Sequence, residues 1–214
     1  MKTLISLVSL AACGALIAGC ASTGFEKAGT TSTSLREAAR DVDNTLVPLD
    51  NVVATLSDLV TNPGPDITPQ YQKFNAAVSN LESQASKVRS QETTMREQGA
   101  AYFQKWDEEL AKIQNDNIQT RSLDRKNSVA AQFEKVRLSY SQTSADFAPF
   151  MSDIKDIRTA LSTDLTAGGL ASVKGLASQA NDAAKPLRES LIRLSAEFRK
   201  LGVSISTTTP PKAD

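Results

Sequence analysis

Few residues in this chain have the type and spacing to do chemistry. Histidine is absent from all 214 residues, which removes the usual proton carrier near neutral pH and the commonest transition-metal ligand. The densest acidic cluster is Asp107-Glu108-Glu109. Paired carboxylates can hydrolyse glycosides, but adjacent positions on a helix point in different directions and do not converge. Asp153 and Asp156 share a helical face at i, i+3, with Lys155 between them. Two carboxylates are too few for a divalent cation, and a surface ion-pair face is expected there. Gly168-Gly169 lacks the Gly-Lys-Ser/Thr ending and the preceding strand of a phosphate loop, and reads as an interhelical turn. Serines and threonines are abundant but have no activating base. No catalytic residue, metal ligand or cofactor is expected. The two thiols, Cys13 and Cys20, both lie in the first twenty residues, so the body of the chain has no disulfide, thiolate nucleophile or cysteine metal site. That pattern suits an oxidising compartment.

Cys20 carries the one legible chemical signal. It follows Lys2 and an apolar run from Leu4 to Ile17, the layout of a targeting segment rather than of a membrane-spanning helix. Ile17-Ala18-Gly19-Cys20 resembles the lipobox of bacterial lipoproteins. In that class of signal the cysteine is thioether-linked to diacylglycerol and a dedicated peptidase cuts just before it, needing small neighbours to reach the backbone. The resemblance implies a signal peptide over 1–19, with Ile17, Ala18 and Gly19 as the peptidase's recognition residues and Cys20 as the lipidation site. Leu10-Ala11-Ala12-Cys13 fits the same pattern, but only twelve residues precede its cysteine, too few for a complete signal. The alternative is an ordinary cleaved signal that leaves Cys20 a free thiol. Residue 21 is Ala rather than the Asp that resembles an inner-membrane retention signal. The expected location is therefore the outer membrane, lipid-anchored and facing the periplasm.

Lys+Arg and Asp+Glu both number 24, so no net field draws the chain to nucleic acid. Residues 20–33 are rich in Gly, Ser and Thr and read as a flexible tether; 204–214 read as a disordered tail. Residues 34–203 read as a helical coiled-coil domain with apolar residues in a 4-3 rhythm. The first seam runs from Leu35 to Val60, opened by a Ser34/Glu37 capping box and stopped by Asn62-Pro63-Gly64-Pro65. The second opens at Thr68-Pro69 and runs through Phe74, Val88, Gly99, Tyr102 and Trp106. The third runs from Val129 to Leu165, and the fourth from Leu170 to Leu201, with Gly202 as C-cap. Pro48, Pro149 and Pro186 are expected to kink or divide their helices. No period-two segment suggests a strand.

The expected fold is all-α: four long antiparallel helices, bundled at one end. The first helix is about 28 residues and the fourth about 33, against about 45 to 50 for the second and third, roughly 70 Å long. The surplus predicts a protruding two-helix coiled-coil hairpin turning near Asn117. In it, Tyr102 and Trp106 would face residues near Ala131 and Phe133. A hairpin bent back on itself, or tips paired between subunits, is the competing geometry. Phe103 lies off the seam, and with Gln104 and Lys112 it forms a candidate partner-binding patch. The competing reading makes the aromatics core and the acids solvated.

The block Phe103 to Leu110, with Arg121-Ser122 and Phe147 to Ile157, resembles a family of uncharacterised bacterial coiled-coil lipoproteins, grouped as a domain of unknown function and helical throughout. The likeness covers roughly 34 to 202 and implies no catalytic residue. The expected function is that of a non-enzymatic envelope scaffold, spacer or adaptor. It would hold the membrane through a diacylglyceryl-cysteine and meet an envelope protein partner or a second copy of itself. A lipid- or cell-wall-binding helical module is the alternative.

Overall fold

A computed structural model describes residues 23–206, so the expected signal peptide, the recognition residues Ile17, Ala18 and Gly19, and Cys20 itself lie outside the described residues. The described chain forms four helices and no strand: α1 (Gly24–Thr61), α2 (Thr68–Leu110), α3 (Asp116–Thr163) and α4 (Ala167–Ile205). Successive helices run antiparallel. The backbone of α1 packs closely along both α2 and α4, and α4 packs along α3, while α2 and α3 approach each other far less. The all-α bundle stands as the seams imply.

The heptad seams explain the core. Leu35, Val42, Leu49 and Leu56 on α1, Phe74, Val78 and Leu81 on α2, Ile154, Ile157 and Leu161 on α3, and Leu187, Leu194 and Phe198 on α4 are all buried. Helices α1 and α4 bury a wider stripe than one seam, because each packs against two neighbours. Small residues allow the close approach. The Ser32 hydroxyl donates to the Gly202 carbonyl at 2.9 Å, and the Ser195 hydroxyl to that of Ala39 at 3.3 Å. Ala38 and Ala39 are buried beside the Ser195 bond, and Ala177 and Ala180 are buried further back along α4. Facing backbones separate according to the side chains between them.

The ends depart from the seam reading. The expected tether is helical from Gly24, ten residues before Ser34, which is buried inside the helix. The capping box belongs instead to Thr23 and Glu26, each side chain accepting from the other's backbone N–H, at 3.2 and 2.7 Å. Gly202 caps nothing; α4 continues to Ile205. Ile67, without a side-chain cap, occupies the N-cap position of α2 expected of Thr68. Pro48, Pro149 and Pro186 sit inside uninterrupted helices.

These longer flanking helices shorten the tip. At 38 and 39 residues, α1 and α4 are each about 57 Å long. Glu26 and Lys27 share a cavity with Glu97 and Gln98, and the Arg125 guanidinium donates to the Ser204 carbonyl. Only the last nine or so residues of α2 and the first nine of α3 extend further, about 14 Å rather than half the hairpin.

The turn between α3 and α4 is made by Asp164, Leu165 and Thr166, and the two glycines begin α4 rather than forming the turn. Thr166 caps α4 by accepting from the Gly169 N–H at 3.2 Å. A Cβ on Gly169 would overlap the Asp164 carbonyl oxygen, whereas one on Gly168 would meet only the Thr166 hydroxyl at 3.5 Å. Gly169→Ala is therefore expected to destabilise by about 1–3 kcal/mol through overpacking. Gly168→Ala is expected to be neutral or to gain up to about 1 kcal/mol from helix propensity. Urea denaturation of the two variants separates the cases.

Candidate functional site

The loosest seam in the bundle is the one between α2 and α3. Its side chains are large: Met95, Phe103, Phe133, Tyr140 and Phe147 face the space where the other interfaces carry alanine and serine. They hold the backbones apart and leave a cavity of about 190 Å³ lined by Met95, Gly99, Ala100, Phe103, Ala130, Phe133 and Tyr140, with Glu92, Arg96, Glu134 and Arg137 at its rim. Tyr140 also lines a smaller space of about 50 Å³ with Val88, Arg89, Thr143 and Phe147. Phe133 packs edge-on against Phe103 with ring centroids 5.1 Å apart. It also lies so close to Gly99 that a Cβ there would come within 2.6 Å of the ring.

Polar clamps close this seam above and below. Toward the α2–α3 turn, the Trp106 indole N–H donates to the Ser122 hydroxyl at 3.0 Å, and Lys126 pairs with Asp107. At the other end Glu82 receives Arg158 at 3.2 Å and Lys155 at 3.5 Å, and the Tyr71 hydroxyl donates to the Arg158 carbonyl at 3.2 Å. Glu82 binds two cations across the seam, so Glu82→Gln is expected to cost about 1 kcal/mol or less at these half-exposed positions. The loss should shrink in high salt, which a denaturation series in sodium chloride checks.

Burial pushes the phenols of Tyr102 and Tyr140 above the ordinary tyrosine value; the Arg125 charge opposes this at Tyr102, while the Glu92 charge adds to it at Tyr140. Both are neutral at physiological pH. The acidic cluster is built for pairing. Lys105 holds Glu108 below the ordinary carboxylate value, and Lys112 and then Lys105 do the same for Glu109. A general acid needs the opposite shift. Among the described residues no group of three acidic, histidine or cysteine side chains could hold a metal ion, and no helix is long and apolar enough to cross a membrane.

The expected patch divides. Gln104 is exposed and donates to Glu108 at 3.3 Å, and Lys112 is exposed and pairs with Glu109. Phe103 is half-buried between Tyr102 and Phe133 and belongs to the cavity, not to the surface with them. Phe133 meets Phe103 and Gly99, while Trp106 reaches Ser122, so the expected pairing of Trp106 with residues near Ala131 is corrected. The displacement follows from Phe133 filling the space over Gly99. Arg96, Arg137 and Tyr140 were not singled out by the sequence. The signal was present: Met95, Gly99 and Phe103 repeat at i, i+4 and i+8, a stripe with a gap at its centre.

No curated protein and no solved structure matches the chain. Residues 20–196 match the family described as "Protein of unknown function (DUF2959)". That span takes in α1, α2, α3 and most of α4, the seam cavity and both clamps. With most of its length matched, the chain belongs to the DUF2959 family of proteins of unknown function.

Proposed function

We propose that this protein is a non-enzymatic lipoprotein, anchored through Cys20 in the outer membrane and facing the periplasm, where it acts as a scaffold, spacer or adaptor. The observation that carries the reading is the helix start. Thr23 and Glu26 close a capping box only three residues after Cys20, so a lipid on Cys20 would hold a bundle about 57 Å long with almost no slack. One acyl chain anchors marginally and two anchor stably, which suits a diacylglyceryl group. Envelope fractionation with intact mass measurement tests this. A chain beginning at Cys20, carrying diacylglycerol and sedimenting with outer membranes, is expected. A free thiol at Cys20, or a chain in the soluble periplasm, contradicts it.

The seam cavity favours a second reading, a binding module for a single acyl chain. Its apolar lining suits an acyl chain, and Arg96, which forms no ion pair among the described residues, could meet a carboxylate head on the side of the rim away from Glu92. A fluorescent fatty acid is expected to bind the wild-type body, and Ala130→Leu, which adds bulk to the cavity lining, should weaken it at least tenfold. Equal binding by both removes this reading.

A further inference from the structure

We infer that the end of the bundle carrying the α2–α3 turn is its membrane-facing end, and that this end rests on the lipid surface. The inference rests on the reading of Cys20 as the lipid anchor. Three residues span at most about 10 Å, so an anchor at Cys20 brings the bilayer to the start of α1.

Contacts between helices identify which end that is. The first turn of α1 lies beside Glu97 and Gln98, late in α2. Further along, Ser32 bonds Gly202 near the end of α4, and Ser204 in turn accepts from Arg125 near the start of α3. The start of α1, the end of α2, the start of α3 and the end of α4 therefore meet at one end. The turns 62–67 and 164–166 occupy the other, roughly 60 Å away by helix length. A tip carried away from the membrane on a tether, the arrangement implied by the Gly/Ser/Thr stretch, does not fit a helix that starts at Gly24.

The surfaces of the two ends differ accordingly. Six large apolar side chains are exposed among the described residues. Ile118, Leu123 and Val203 lie at the Thr23 end; Val47, Leu138 and Ile192 lie along the flanks, and none lies at the far end. Trp106, half-buried with its indole N–H held by Ser122, adds an amphipathic ring of the kind found at membrane interfaces. The exposed contact residues are apolar, and Lys105, Lys112 and Lys126 beside them are each paired with a carboxylate, while exposed Arg121, without an ion pair among the described residues, adds a cation. High salt should therefore weaken the contact in part without abolishing it. The flanks and the far end are left for a protein partner.

The test uses the full lipidated chain, purified from membranes and reconstituted in phosphatidylethanolamine/phosphatidylglycerol vesicles containing a spin-labelled lipid. Single labelling sites are introduced as Gln114→Cys in the α2–α3 turn and Ser162→Cys at the far end, each carrying a fluorophore. Flotation with the vesicles reports the anchor, and quenching reports orientation. The expected result is flotation of both variants, at least about twofold quenching at position 114 and none at 162, which stands roughly 60 Å away along the helices, far beyond the contact range of a lipid-borne quencher. Flotation with both sites quenched (a bundle lying flat), with only 162 quenched, or with neither quenched overturns the orientation and leaves the anchor standing. Failure to float overturns the anchor and the orientation together.

Discussion

Cys20→Ser is expected to abolish incorporation of labelled fatty acid into this protein and to leave the full 214-residue chain unprocessed. The thiol is the only group in the Ile17-Ala18-Gly19-Cys20 stretch that can form the thioether, and serine offers no equivalent nucleophile at neutral pH. Each buried methylene of an acyl chain contributes about 0.8 kcal/mol to membrane attachment, so no exposed side chain of the bundle can replace a lost diacylglyceryl group. Cys13→Ser provides the control. It lies in the apolar run ahead of the cleavage point and should leave both lipid incorporation and processing unchanged. Acyl labelling followed by gel electrophoresis reads both variants. Incorporation into the Cys20→Ser chain would remove the anchor from Cys20, and loss in the Cys13→Ser chain would move it to the earlier cysteine. Both residues precede Gly24, where α1 begins, so the helical body should melt at the parent's temperature in both variants.

The second large effect concerns where stability resides. Phe198 is buried on α4 between Ser195, which bonds Ala39, and Gly202, which bonds Ser32. Phe198→Ala would open a cavity in the closely packed α1–α4 interface, where small residues already bring the backbones together and leave little room to collapse further. The expected cost is about 3–5 kcal/mol, a large part of the stability of an ordinary domain. Phe133 is an equally large ring, but it lies half-exposed over a cavity in the open α2–α3 seam. Phe133→Ala is expected to cost roughly 1–2 kcal/mol, because less area returns to water and little packing is lost. Guanidinium denaturation of the two variants gives the comparison. Equal losses would mean that α2 and α3 are held as tightly as α1 and α4, against the geometry.

That asymmetry marks the limit of what the sequence discloses. The apolar rhythm of Leu35, Val42, Leu49 and Leu56, and of Leu187, Leu194 and Leu201, shows which residues are buried and hence the four helices. It does not say which pairs approach closely. That depends on matching small residues across an interface, such as Ser32 with Gly202, and on bulk such as Phe133 over Gly99. The start of α1 was hidden for a related reason. Gly24, Gly29 and the threonines and serines from Thr30 to Ser34 have poor helix propensity and read as linker. In the fold their hydroxyls bond backward to carbonyls one turn earlier, Thr30 to Glu26 at 3.1 Å and Thr31 to Lys27 at 2.8 Å. Ser32 spends its hydroxyl on α4 instead. Tertiary packing overrides local preference here, and the consequence reaches the proposed function: the expected tether is helical from Gly24, and the tip becomes the end nearest the proposed anchor. The candidate patch was legible only in part. Gln104 and Lys112 are on the surface as their heptad positions suggest, whereas Phe103 is drawn inward by Phe133, a partner thirty residues away in sequence.

Chemistry at the acidic cluster gives the non-enzymatic reading its physical basis. Asp107, Glu108 and Glu109 are each engaged by lysine, and the two glutamates are held in their charged form. They stabilise the last turns of α2 and the start of α3 and position Lys105 and Lys126 rather than a reacting group. On the proposed reading, what the protein would offer a partner is shape and reach.

The most direct measurement of that claim is site-specific photo-crosslinking in living cells. Probes are placed at Gln104 and Lys112 beside the α2–α3 turn and at Ser162 at the opposite end, all exposed. A scaffold or adaptor predicts one discrete crosslinked protein from at least one of these sites, with the Ser162 probe the expected donor if the turn end rests on lipid. Absence of any protein adduct at all three sites, with the lipidated chain confirmed by mass, would contradict the adaptor account and leave the acyl-binding seam as the function to pursue.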